Sequence, residues 1–198
     1  TDSLGCTYTD SVYIHNYFNS FSFSDYTMGF EANEDFSGWL IEDANNDGVT
    51  WNKNAISGVN MSGGMIYNYN QNNQADDWLF SQCFVLDSGE TYDLSYYYRV
   101  ASQVYPENLS VYIGAQQNSG AMNTVLQVQN NLQNTQYDSI LINFSVPQSA
   151  TYYIGWKVHS NANMWRLDLD NINLAININD GCTDSTALNY DSLANVDD

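Results

Sequence analysis

The hexapeptide DANNDG, residues 43–48, sets side-chain oxygens at its first, third and fifth positions and a glycine at its sixth. Calcium takes six to eight oxygen ligands, and a loop that turns Asp43, Asn45 and Asp47 inward around a glycine offers three. In a twelve-residue helix-loop-helix site the twelfth residue is a bidentate glutamate. Here it is Asn54, and the flanks WLIE and TWNK lack helical amphipathicity. The loop is therefore not an EF-hand, and its residues alone leave open a calcium loop or an Asx-rich surface turn.

Other chemistry is thinly represented. The only histidines are His15 and His159, and GxSxG, HExxH and GxxxxGK[ST] patterns are missing from the sequence. Two acids suffice for glycoside hydrolysis, but no pattern singles out a pair. A non-catalytic chain is the expectation. Three cysteines, Cys6, Cys83 and Cys182, stand too far apart for a CxxC zinc motif. Cys83, inside FSQCFVL, reads as a small buried apolar residue. Tyrosines are abundant: Tyr96, Tyr97 and Tyr98, with Tyr67, Tyr69, Tyr152, Tyr153 and Trp165, offer flat faces that stack on sugars or pack at interfaces. Successive strand residues point to opposite faces, so at most alternate tyrosines share a surface.

These residues need a scaffold, and the pattern is β. From residue 17 to 177 short alternating or apolar runs are separated by polar turns: WLIE, GGMIYNYN, WLFSQCFVL, TYDLSYYYRV, LSVYIGAQ, TVLQVQ, SILINFSV, TYYIGWKVHS and MWRLDLDNINLAI, preceded by FSFSDYTMGFE. About ten short strands at this spacing predict an all-β antiparallel sandwich. In the last strand the two-residue step slips between Leu169 and Ile172, the mark of a bulge that re-aims a carboxylate. The Asn/Gln-rich stretch 115–136 reads as a strand inside a long polar connection. Residues 1–16 are an N-terminal flank, and 178–198, which lose the alternation, a separate small module or linker.

Only four Lys and Arg oppose 23 acidic residues, a formal charge of −19. Nucleic acid is not an expected partner, because phosphate neutralisation needs clustered cations. An acidic surface suits divalent cations or a saline medium. No apolar run reaches the roughly 18 residues that span a bilayer, so no membrane insertion is expected.

Four motifs stand in a recognisable order: FEANEDFSGW (30–39), DANNDGVTW (43–51), ADDWLFSQCFVL (75–86) and RLDLDNINL (166–174). Together they resemble the cleaved-adhesin or "choice-of-anchor J" domains of secreted Bacteroidetes proteins, including the haemagglutinin-adhesin regions of gingipains. The resemblance covers residues 28–176. It implies a jelly-roll β-sandwich, related in shape to MAM domains, with structural calcium and no catalysis. Carried over by position, Glu31 and Asp170 supply carboxylates to a calcium that joins the first and last strands. Asp168 and Asp77 are further candidates, and Asp43, Asn45 and Asp47 form a second site. The acid often found just before FE is replaced by Met28-Gly29.

The tail GCTDSTALNYDSLANVDD (181–198) resembles a short Bacteroidetes repeat that normally continues to Gly-Ser-Cys, and SLGCTYTD (3–10) looks like a degenerate copy. Both imply a piece of a longer, modular, extracellular polypeptide. Cys182 lacks the repeat's usual partner and could instead reach Cys6 within the chain or in a neighbouring copy. Asp-Ser steps at Ser3, Ser11, Ser139, Ser185 and Ser192 are similar to O-glycosylation sites of such proteins. The expected function is adhesion, through an extracellular protein or glycan ligand. A filament or sheath subunit that contacts neighbouring copies of itself is one alternative, and an accessory carbohydrate-binding module another.

Overall fold

The computed structural model describes residues 25–179, 181–192 and 194. The expected N-terminal flank, with Ser3, Cys6 and Ser11, lies outside the described residues. Twelve strands follow in order: β1 (Tyr26–Met28), β2 (Leu40–Asp43), β3 (Trp51–Asn54), β4 (Gly64–Asn68), β5 (Asp77–Phe80), β6 (Phe84–Leu86), β7 (Thr91–Val100), β8 (Glu107–Gly114), β9 (Thr124–Leu132), β10 (Asp138–Ser145), β11 (Ala150–Val158) and β12 (Arg166–Ile176). One sheet runs β10-β7-β12-β4-β3, with β1 also on β12. The other runs β2-β5-β11-β8-β9, with β6 also on β11. Every strand pair is antiparallel, and the two sheets form a β-sandwich of jelly-roll type.

Alternation decides which face of each strand is dry. Along β7, Tyr92, Leu94, Tyr96, Tyr98 and Val100 are buried, while Tyr97 between them remains 39% exposed. From β12, Leu167, Leu169, Ile172 and Leu174 point into the same space. The second sheet answers with Leu79, Leu109, Val111, Ile154, Trp156 and Val158. Trp156 ties the layers: it stacks on Trp39 at 5.8 Å and meets Tyr96 edge-on at 6.1 Å. Burying each such side chain contributes on the order of 2 kcal/mol, and aromatic pairing adds about 1 kcal/mol.

Two expectations needed revision. WLFSQCFVL is not one strand but two, because Ser81 interrupts it: its amide donates to the Ile154 carbonyl at 2.8 Å, while its hydroxyl accepts from the Ile154 amide at 2.9 Å. The chain therefore leaves and rejoins β11. WNKN, read as a loop flank, is strand β3, with Trp51 buried and its polar neighbours turned to water. Within the Asn/Gln-rich connection, β9 is longer than the expected TVLQVQ. The turn before it lays Met122 over Trp78, Phe80 and Tyr153, a second small core on the outer face of that sheet.

Cys83, read from the sequence as a small buried apolar residue, is instead disulfide-bonded. Cys182, expected as a possible partner for Cys6, carries a free thiol and is half-buried. In the tail, Cys182 forms an isolated parallel bridge with Tyr190, and the Asp191 amide donates to the Cys182 carbonyl at 3.0 Å. Ser139, Ser185 and Ser192 are exposed.

Candidate functional site

On one side of β12 the partner changes midway. β4 covers Arg166 to Leu169, β1 covers Ile172 to Leu174, and the register shifts between Asp170 and Asn173. The expected bulge is there, with Asn171 in left-handed backbone at φ +47. Asp170 falls in the gap, where no strand on that side supplies donors, and the loop 58–63 fills it. Asp170 Oδ2 accepts the Val59 amide at 2.7 Å and the Ser62 hydroxyl at 3.4 Å, and Oδ1 accepts the Asn171 amide at 2.6 Å.

Glu31 reaches the same loop from the other end of the chain. Both its carboxylate oxygens accept the Gly63 amide at 3.2 Å. Loop 58–63 is built for this close approach: a Cβ on Gly58 would strike the Gly63 carbonyl and stand 2.7 Å from Asp170 Oδ2, and one on Gly63 would strike the Phe30 carbonyl. Glu34, not singled out by the sequence reading, holds the Glu31 segment. Its carboxylate accepts the Gly29 amide at 3.0 Å and the Glu31 amide at 2.8 Å, beside Phe30 at φ +58. Met28-Gly29, where an acid was expected, is thus served by an acid from three residues beyond Glu31.

Asp170 is fully buried, and burial raises its carboxyl above the usual range. The amides of Val59 and Asn171 and the Ser62 hydroxyl work against that rise, and the charge of Glu31 adds to it. Two arginines are committed to the neighbouring Asp168: Arg99 Nε lies 2.8 Å from Oδ2 and Arg166 Nε 2.7 Å from Oδ1. Two guanidinium groups satisfy Asp168 in the manner of a structural ion pair, which leaves it poorly placed to ligate a metal. Glu31 and Asp170, with the loop's main-chain carbonyls, are hard oxygen donors of the kind calcium takes. Among the described residues, no three Asp, Glu, His or Cys side chains converge tightly enough to hold a metal by themselves.

Asp77 joins the other acidic group. Its Cα pairs with Asp43 across β2 and β5, so it stands at the DANNDG loop. The loop closes on itself: Asp43 accepts the amides of Asp47 at 3.2 Å and Gly48 at 2.9 Å, Asp47 accepts that of Val49 at 2.9 Å, and Asn45 donates to the Gln74 carbonyl at 2.7 Å. Asp77 is fully buried; its Oδ2 accepts the Asp76 amide at 3.3 Å, and the Thr50 hydroxyl and Tyr67 phenol lie against its carboxyl. Burial first, then the charges of Asp43 and Asp47, push the Asp77 carboxyl up to about 7. The charges of Asp43 and Asp47 repel an ionised Asp77, a repulsion that a cation held with further oxygen donors would relieve.

The tyrosines divide as alternation requires. Tyr67, Tyr96, Tyr98 and Tyr153 are buried, Tyr152 is half-buried with its hydroxyl on the Gln148 carbonyl, and Tyr69, Tyr97 and Trp165 are exposed. His159 is half-buried with its imidazole pKa lowered by burial, and its Nε2 shares a hydrogen bond with the Ser110 hydroxyl at 2.8 Å.

No protein-family model matches the chain, and no curated protein matches it. Solved structures do. The K1 cleaved adhesin domain of Lys-gingipain from Porphyromonas gingivalis W83 superposes with a TM-score of 0.65 at 17% identity, over 78% of this chain and 99% of that one. The K3 domain of the same protein gives 0.62 at 15% identity, over 77% and 98%. The CBM22-2 xylan-binding domain of Paenibacillus barcinonensis Xyn10C gives 0.56 at 9% identity, over 77% and 99%. At these identities the likeness is one of fold: a β-sandwich shared with adhesin and carbohydrate-binding domains.

Proposed function

We propose that this chain is a non-catalytic binding module of an extracellular or cell-surface protein, its sandwich fastened by calcium. The observation that carries the reading is the convergence of Glu31 and Asp170, 139 residues apart in sequence, on the single loop 58–63. A bound divalent ion there would offset the repulsion of the two acids and lock the seam between β1 and β4. The Asp43, Asn45, Asp47 and Asp77 group is a second place for such an ion. Likeness in fold to gingipain adhesin domains and to a xylan-binding domain supports a binding role. The reading includes membership of the cleaved-adhesin group, with the tail as a surface-repeat segment and Ser139, Ser185 and Ser192 as modifiable sites. The ligand class would be extracellular protein or glycan.

The test is thermal unfolding with calcium and with a chelator, alongside elemental analysis of the purified chain. One site filled at 100 times its Kd adds about 2.7 kcal/mol. The expected chelator-induced drop in Tm should shrink in Glu31→Gln and Asp170→Asn. An unchanged melt with no calcium bound would refute the reading.

A further inference from the structure

At one end of the sandwich, three connections meet around a cavity of about 360 Å³ lined by Tyr69, Tyr105, Asn163, Met164 and Trp165. Tyr69 follows β4, Tyr105 lies between β7 and β8, and the other three precede β12. Tyr69, Tyr105 and Trp165 are 40%, 41% and 48% exposed, an unusual concentration of wet aromatic surface. Tyr105 and Trp165 stand with ring centroids 6.2 Å apart and planes at 80°. The two rings are set edge to face, nearly at right angles, at this corner of the sandwich.

This corner is held by main chain rather than by the rings themselves. The Trp165 amide donates to the buried carboxylate of Glu107 at 2.9 Å, and its carbonyl accepts the Tyr69 amide at 2.9 Å. The Asn163 amide donates to the Asn70 carbonyl at 2.8 Å, with Asn163 fixed at φ +61. Loops pinned in this way lose little freedom on binding, so contact energy is not spent on ordering them.

From this geometry we infer that the cavity binds a neutral saccharide, one sugar ring stacked in the Tyr105–Trp165 corner, with its hydroxyls on Asn163 and the tyrosine phenols. The inference rests on the binding-module reading and names a site and a ligand class for it. A pyranose presents an apolar C–H face and a rim of hydroxyls, and aromatic rings with polar tips match both. The volume lies at the small end of ligand cavities, sized for a few rings rather than a folded partner. Charge narrows the class. None of the five lining residues is ionisable as a cation or carboxylate, Arg166 beside them is bound to Asp168, and the chain carries −19. Sulfated or uronic sugars would meet repulsion and no counter-charge.

The experiment is affinity electrophoresis of the full chain in calcium through gels carrying xylan, mannan, laminarin or hydroxyethylcellulose, with polygalacturonate as the anionic comparison. Trp165→Ala and Tyr105→Ala are run beside wild type, and Tyr97→Ala serves as an exposed aromatic from the flat of the sheet. Both alanine variants keep the main-chain bonds that pin the loops, and their melts check the fold. The expected result is retardation by at least one neutral polymer, weakened about tenfold or more in Trp165→Ala and Tyr105→Ala, as truncation of a central aromatic anchor does, and unchanged in Tyr97→Ala. Retardation by polygalacturonate alone, by no polymer, or equally in every variant overturns the inference. So does displacement of the bound polymer by millimolar tetramethylammonium, which would mark an aromatic cage for cations. A negative gel with an intact calcium-dependent melt leaves the calcium reading standing and removes only the sugar.

Discussion

Replacing Asp77 with Asn keeps the volume and removes the charge, and the structure fixes the direction of the effect. With its folded-state carboxyl pushed up to about 7, against about 3.9 in an unfolded chain, the folded protein holds a proton that the unfolded one releases. The stability associated with Asp77 is fully present below about pH 4 and is lost as pH rises through about 7. Roughly three units at 1.4 kcal/mol each set a ceiling of about 4 kcal/mol, of which about 2.5 kcal/mol falls between pH 5 and pH 8. For a chain of this size that is a Tm drop of about 5–10 °C. The assay is thermal unfolding in chelated buffers at matched ionic strength across that window. Wild type should lose stability steeply, Asp77→Asn should lose only what the general negative charge imposes, and saturating calcium should flatten the wild-type slope. Parallel pH profiles for the two proteins in chelator would refute the placement of Asp77 as a buried acid whose carboxyl burial raises.

Gly63→Ala, which would drive a Cβ into the Phe30 carbonyl, should destabilise by about 2–3 kcal/mol in denaturant titration and weaken calcium's effect on the melt. Arg99→Met leaves the buried Asp168 with Arg166 alone, and should cost about 2–3 kcal/mol, less than a fully unpaired charge because one guanidinium remains. Glu107→Ala removes the acceptor of the Trp165 amide, so hydrogen exchange at that amide should accelerate at least about tenfold, with little change along β7.

What could be read from sequence was what side-chain period encodes. Tyr92 to Val100 and Leu167 to Leu174 announced their buried faces, and the missed step at Leu169 announced the bulge. Strand β3 escaped because only Trp51 in WNKN is apolar, so no alternation could be counted. The β5–β6 break escaped because Ser81 acts through its hydroxyl on Ile154, a partner 73 residues away. Glu31 and Asp170 were legible as acids in ordered motifs, but their shared target was not, since main-chain amides at Val59 and Gly63 leave no mark in residue type. Gly58, Gly63 and Gly64 were the available signal. Asp77 was assigned with Asp170, yet the Asp43–Asp77 register puts it with the loop, and register follows from pairing rather than local pattern.

The pairing of Tyr26 with Leu174 sets β1, the first strand among the described residues, antiparallel to β12, so the start of one and the end of the other lie side by side. Tension applied through both flanks would pull β1 from β12 one rung at a time, as a zipper opens, instead of shearing all rungs together. Strung within a longer polymer, such a unit hangs from the backbone like a pendant and adds little to contour length. Any ion gripping the seam beside Asp170 would then act as the catch on that zipper.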